Sequence, residues 1–252
     1  MTDHDAIYPS LRGRAVLVTG GAGGIGAALV EHFCAQGAAV TFLDVADDAA
    51  AALAGRIEAA GHPRPAYRHA DVTDILALQA AIRAAGPLHV LVNNAGHDER
   101  HDWREVTPEY WEARLAVNLR HQFFAIQAAA PAMIAAGAGS IINFGSTSWH
   151  LGMGGMPAYT ASKAGIEALT RSFARDLGAH RIRVNCVLPG WIMTERQLAL
   201  WVDAAAETMR HAGQCLKDRL YPPDVARLVL WLAADDSRMA TSQTWTIDGG
   251  WT

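Results

Sequence analysis

Tyr159 and Lys163 stand four residues apart, a spacing that puts both side chains on one face of a helix. A phenol with its ordinary pKa near ~10 is a poor base at neutral pH. A neighbouring ammonium favours the phenolate and brings that value down. The pair therefore suits removal of a proton from a substrate hydroxyl. Ser146 lies just past a strand-like run, where its hydroxyl can hold the substrate oxygen and stabilise charge developing on it. Asn118 lies within a helical stretch, and its amide can bond a backbone group or a water leading to Lys163. A Tyr near a Lys is also a frequent accident of helix surfaces, so the assignment needs a second signal.

That signal is a partner able to take a hydride. Thr19-Gly20-Gly21-Ala22-Gly23-Gly24-Ile25-Gly26 follows a strand-like run and opens a helical one. In that context glycines allow a tight turn and close approach of the backbone to a pyrophosphate at the positive end of the helix. Asp44 comes 18 residues after Gly26, at the end of the second strand. A carboxylate there accepts hydrogen bonds from ribose hydroxyls and repels a 2′-phosphate. Neither Arg nor Lys lies in the turn or directly after Asp44, so NAD is expected rather than NADP.

The elements that position these residues follow from the pattern. Buried strands are expected at Ala15–Thr19, Ala39–Leu43, Ala66–His69, His89–Val92, Ser140–Phe144, Ile182–Val187 and Thr244–Ile247. Helices are expected at Gly24–Gln36, Ala46–Ala60, Asp74–Ala85, Ala158–Leu177 and Asp224–Ala234. A long helix opens at Thr107-Pro108, with Thr as cap and Pro in the first turn, and runs to about Ala136 with Pro131 as its candidate bend. The strands read as continuous apolar runs, the mark of parallel strands covered on both faces. Strand and helix alternate throughout. The fold class is therefore α/β, a doubly wound Rossmann sheet, expected as a single domain over 1–252. Trp191–Tyr221 breaks the rhythm and reads as an excursion covering the site.

Taken together, these motifs resemble the short-chain dehydrogenase/reductase family over nearly the whole chain. Thr19, Gly20, Gly24 and Gly26 match its TGxxxGxG turn, and Asn93-Asn94-Ala95-Gly96 matches its NNAG motif. Asn118, Ser146, Tyr159 and Lys163 fall where that family places its catalytic tetrad. Pro189, Gly190, Ile192 and Thr194 fall in the segment that holds the nicotinamide amide, and Asp71-Val72 in the pair that contacts the adenine. The resemblance implies seven parallel strands, cofactor contacts from Gly20, Gly23, Gly24, Ile25, Gly26, Asp44, Asn93, Ala95, Gly96, Tyr159 and Lys163, and a homo-oligomer, tetramer or dimer.

Three polar and aromatic segments are expected to border the nicotinamide: His97–Trp103, Ser148-Trp149-His150, and Trp191. Rings cover the C–H face of a sugar while carboxylate, imidazole and guanidinium groups bond its hydroxyls. The substrate contacts expected are His97, Ser148, Trp149, His150 and Trp191. Stretches Asn93–His101, Ile142–Gly152, Gln214–Lys217 and Ile247–Trp251 resemble bacterial NAD-dependent aldose 1-dehydrogenases of the D-xylose, L-arabinose or D-galactose type. That resemblance implies oxidation at C1 to the lactone. Two alternatives stay open: a dehydrogenase or reductase of a hydroxyacyl or other secondary alcohol, for which Leu151, Met153 and Met156 speak, and an NAD-sensing binding protein, which has no need of a proton-transfer set.

Composition narrows the classes further. The chain has 252 residues, a formal charge of −4 and 51% apolar residues, against disorder and against a phosphate-gripping nucleic-acid binder. Three scattered cysteines suit a reducing, cytoplasmic setting. Met1–Pro9 is polar and does not read as a signal peptide. The charge-free stretch from His121 to Ser162 is too interrupted for a membrane span. His97, Asp98, His101 and Asp102 lack a metal-site framework, so no metal is expected.

Overall fold

Strands β1 (Ala15–Thr19), β2 (Ala39–Asp44), β3 (Ala66–His69), β4 (Val90–Asn93), β5 (Gly139–Phe144), β6 (Ile182–Pro189) and β7 (Thr244–Ile247) form one sheet. Every pairing is parallel, in the order β3-β2-β1-β4-β5-β6-β7. The computed structural model describes residues 6–252. Met1–Asp5, where the expectation about the N-terminus mostly falls, lie outside the described residues.

The continuous apolar runs have a direct cause. Successive strand side chains point to opposite faces. Val16 and Val18 enter one core with Phe33, Phe42 and Val229, while Leu17 between them enters the other with Leu91, Ile126 and Ile141. Each strand in the middle of the sheet divides its side chains in this way, so neither face can be polar. β3 departs from the expected pattern: three of its four residues are exposed, as its place at the sheet edge allows.

Helices α1 (Gly24–Ala35), α2 (Asp47–Ala59) and α3 (Ile75–Ala84) follow the first three strands. Asp74 caps α3, accepting from Ala77 N at 3.0 Å. The long helix is interrupted, though not at Pro131. α4 (Pro108–Leu115) and α5 (His121–Ala136) are joined by a π-helical turn over Ala116–Arg120, and Pro131 lies inside α5. Thr107 caps α4 as its sequence implies, accepting from Tyr110 N at 3.2 Å. α6 (Pro157–Leu177) carries Tyr159 and Lys163. The 191–221 segment folds as two helices unforeseen from the pattern, α7 (Glu195–Leu200) and α8 (Ala204–Gly213), before α9 (Pro222–Ala233).

The order matters for function. After β1 the chain winds outward through β2 and β3, then returns to place β4 on the other side of β1. The loops leaving β1 and β4 diverge there, opening a crevice at the carboxyl ends of the strands where ligands of such sheets bind. Among the described residues, no helix is long and apolar enough to cross a membrane.

Candidate active site

A cavity of about 690 Å³ opens at that crevice. Its walls include Gly20, Gly23, Gly24, Ile25, Gly26, Asp44, Asp71, Val72, Ala95, Gly96, Pro189, Gly190, Ile192 and Thr194, together with Ser146, Tyr159 and Lys163. Packing fixes the turn. A Cβ on Gly26 would lie 1.8 Å from the Gly20 carbonyl oxygen, which backbone cannot vacate. Gly20 has a φ of +67°, and its Cβ would meet Ala95 Cα at 2.9 Å. The turn is tied to β4 through Asn94, whose amide nitrogen donates to the carbonyls of Thr19 and Gly20 at 3.0 and 2.8 Å. Gly23 caps α1 with no side chain, so the first N–H groups of the helix keep their positive end for a ligand. These features fit the pyrophosphate of a dinucleotide.

Asp44 ends β2 at the cavity wall and accepts from the backbone N–H groups of Ala22, Val45 and Ala46 at 2.9, 2.8 and 3.1 Å. It thus fastens β2 to the glycine turn. The neighbouring wall, Val45, Ala46, Ala49, Ala70, Asp71 and Val72, carries no cation. Asn93, expected at the cofactor, does not reach the cavity. It is fully buried and donates to Asn143 Oδ1 at 2.9 Å, bridging β4 to β5. The asparagine that lines the wall is its neighbour Asn94.

Lys163 is 3% exposed, and its ammonium donates to the Phe144 carbonyl at 2.9 Å and sits 5.5 Å from the Tyr159 ring centre. Gly96 leaves room for it, since a Cβ there would lie 3.1 Å from Nζ. Burial pulls the Lys163 pKa down to about 8. The Ser146 hydroxyl hydrogen-bonds Tyr159 and favours the phenolate. Burial nevertheless wins, and with the Asp98 charge it holds the Tyr159 phenol above its ordinary value. The expected lowering of that pKa is thus not met by the chain's own groups, because desolvation penalises both charged forms at once.

Asn118 is fully buried behind the wall. Its Oδ1 accepts from His97 N at 2.8 Å, and its Nδ2 donates to the carbonyls of His97 and Arg114 at 3.2 and 3.0 Å. It holds the loop after β4 in place. His121, which sequence reasoning missed, is fully buried beside it with Nε2 3.1 Å from the Ala95 carbonyl. Burial and the Lys163 charge pull its pKa down to about 3, so it is neutral and its Nε2–H donates. A lone His in a charge-free stretch gives no sequence signal of this.

His97, Ser148 and Trp191 line the far end of the cavity. Ser148 is buried, and its hydroxyl finds no partner among the described residues. Burial and the charges of Arg196 and Arg114 pull the His97 pKa down. Trp149 and His150 stand elsewhere. Their rings stack at 3.8 Å and both bond Glu167 Oε1, at 2.6 and 3.2 Å, so the first pairs with a helix carboxylate outside the cavity and the second does likewise. Asp98, from the His97–Trp103 segment expected here, also lines this end, and the side chains missed are Gln197 and Trp251. Trp251 packs where Gly213 leaves space, since a Cβ there would lie 2.3 Å from the indole nitrogen. Among the described residues, no group of three or more His, Cys, Asp and Glu is placed to hold a metal ion. Cys34 and Cys186 are buried, and Cys215 is exposed away from the cavity wall.

Residues 20–252 match a family model described as "Enoyl-(Acyl carrier protein) reductase". The chain is 49% identical over 247 residues to "D-xylose 1-dehydrogenase" of Caulobacter vibrioides, covering 98% of each protein. It is 46% identical over 254 residues to a Rhizobium meliloti (strain 1021) protein named "Probable galactose dehydrogenase GalD", covering 99% of each. Among solved structures, it is similar to "blue fluorescent protein from metagenomic library in complex with NADPH". That match has a TM-score of 0.86 and 36% identity, and covers 96% of this chain and 99% of the other.

Proposed function

The chain belongs to the short-chain dehydrogenase/reductase family of nicotinamide-dependent oxidoreductases acting on CH–OH groups, and from that premise we propose that it oxidises an aldose at C1 to the sugar lactone with NAD. The observation that carries this reading is the joining of two chemistries in one cavity. The glycine turn and Asp44 stand at one end, and His97, Ser148 and Trp191 at the other, with Ser146, Tyr159 and Lys163 lining the same walls. The likeness to sugar dehydrogenases over almost the full chain supports D-xylose and galactose as first candidates, and the motif resemblance adds L-arabinose.

In this reading Tyr159 Oη takes the proton of the C1 hydroxyl while Ser146 Oγ donates to the same oxygen and stabilises its charge. A nicotinamide held in this cavity would supply the hydride acceptor for C1. Lys163 would hold the nicotinamide ribose, and Ser146 is the group that favours the Tyr159 phenolate against burial. Asn118 fixes the backbone of His97. Asp44 would receive the adenosine ribose hydroxyls and disfavour a 2′-phosphate, and Asp71 with Val72 would border the adenine. Ser148, whose hydroxyl is buried without a partner, offers the sugar a hydrogen bond. The proposal includes one domain with residues 191–221 covering the site, and a cytoplasmic homo-oligomer, tetramer or dimer.

Leu151, Met153, Met156 and Met209 favour a second reading, a less polar secondary alcohol oxidised by the same residues. The two separate in a screen for NADH formation across pentoses, hexoses, hydroxyacyl compounds and simple secondary alcohols, with NAD and NADP in parallel. Activity on an aldose with NAD is the expected result. Inactivity on every common aldose with turnover of a hydroxyacyl substrate would overturn the sugar assignment.

A further inference from the structure

Gln197 joins two segments across the substrate end of the cavity. Its Nε2 donates to Asp98 Oδ2 at 2.6 Å, and its Oε1 accepts from Trp191 Nε1 at 2.9 Å. An indole nitrogen only donates and a carboxylate only accepts. The amide orientation is therefore fixed by its neighbours, because the flipped amide would set donor against donor and acceptor against acceptor. Arg196 Nε approaches the other carboxylate oxygen, Asp98 Oδ1, at 3.4 Å. Asp98 comes from the loop after β4, while Gln197 and Arg196 come from α7. All of these side chains line the cavity.

We propose that Asp98 is a specificity-determining carboxylate that accepts a hydrogen bond from one ring hydroxyl of the substrate, with Gln197 as its positioning residue. This inference rests on the sugar reading above. A carboxylate offers about four acceptor sites. Gln197 and Arg196 occupy one on each oxygen, so acceptor capacity remains. The Asp98 side chain is 28% exposed on a cavity wall, which leaves that capacity open to a ligand. Its charge also acts on Tyr159 and Lys163, so it stands within electrostatic reach of the reacting hydroxyl. Trp191, held by the same amide, has its ring centre 6.5 Å from that of Trp251, which sets apolar surface beside the acceptor. Anchored acceptor and flat apolar surface together match an alternating C–H and O–H outline, and an aliphatic chain would leave the remaining acceptor sites of the carboxylate unfilled.

The test compares kcat/KM of the full chain on its best aldose with that on each monodeoxy analogue, then repeats the series in Asp98→Ala and Gln197→Met. Thermal melting checks the fold, and quenching of tryptophan fluorescence by NAD checks the cofactor site. In the unaltered protein the analogue lacking the recognised hydroxyl should lose about 10–150-fold, the range of a hydrogen bond to a charged group. In Asp98→Ala the penalty at that one position should fall to about threefold or less while the other penalties persist. Gln197→Met keeps the carboxylate but removes one of its two anchors, so the same position should weaken selectively, with KM rising more than kcat falls and NAD quenching unchanged. Unchanged discrimination in both variants would overturn the inference, as would an equal loss at every position. Failure of the sugar reading itself is distinguishable, because the unaltered protein would then oxidise no aldose at all.

Discussion

Replacing Asp44 by Ala should cost both stability and cofactor preference, and the two losses can be sized separately. The carboxylate accepts from three backbone N–H groups. Val45 and Ala46 are exposed, so water takes over their N–H groups after the substitution. Ala22 is buried and would be left without its acceptor. An unsatisfied buried N–H costs about 1–3 kcal/mol. In a protein of this size ~1 kcal/mol moves the melting temperature by ~2–4 °C, so a fall of about 2–12 °C is expected. Loss of a charged acceptor for the ribose hydroxyls should raise the KM for NAD by about 10–150-fold, while NADP gains from removal of the repelling charge. Adding Val45→Arg should leave the melting temperature of the single variant roughly unchanged and carry the preference over to NADP. Differential scanning fluorimetry gives the first quantity, and initial rates against each cofactor give the second. A melting temperature within a degree of the parent, with an unchanged ratio of efficiencies for NAD and NADP, would refute the reasoning.

Tyr159→Phe keeps the ring and removes the proton acceptor, so kcat should fall by about 10²–10⁴-fold with NAD affinity by fluorescence titration nearly constant. Lys163 has a pKa of about 8 in the folded protein against an ordinary 10.5. Between those values the unfolded chain holds a proton that the folded chain has released, so this residue's contribution to stability rises with pH, by up to ~1.4 kcal/mol per pH unit. Denaturant melts from pH 8 to 10.5 should lose that rising component in Lys163→Met; identical pH slopes in the two proteins would contradict the assignment. Trp149→Ala should leave the sugar KM within about twofold, because its indole is engaged with Glu167 outside the cavity, whereas Ser148→Ala should raise KM by about five- to tenfold through its lost hydroxyl.

Strand positions were legible because each middle strand needs both faces apolar, and a run such as Val16–Leu17–Val18 records that demand directly. Glycines were legible for a similar reason: contacts like that between Gly26 and the Gly20 carbonyl exclude any larger residue. Other features depend on distant partners. The direction taken by Trp149 and His150 is decided by Glu167, 18 and 17 residues away respectively, and no local pattern states it. Asn93 and Asn94 carry the same side chain on consecutive positions, and only the alternation of β4 decides which one faces Asn143 and which one the glycine turn. Nor could the sequence weigh burial against charge at Tyr159, where proximity to Lys163 suggested the opposite sign. Helices α7 and α8 were hidden because an excursion over a cavity has no full apolar stripe to display; neither has more than one buried residue.

The π-helical turn at Ala116–Arg120 has a bearing on how such a site is gained and lost over generations. Such a turn closes hydrogen bonds five residues apart in place of four, so it holds one residue more than the α-helical turn it replaces. In the history of a gene that is a single-codon insertion. Removing one of the other residues of that turn, Ala116, Val117, Leu119 or Arg120, would let α4 and α5 join as one regular helix, with one side turned by about 100° relative to the other. Asn118 would then swing away from the His97 backbone, while the helix itself would gain regularity. Selection for heat resistance alone would accept such a deletion, and only selection that also demands turnover would purge it. The extra residue costs the helix regularity and gives the loop after β4 its alignment.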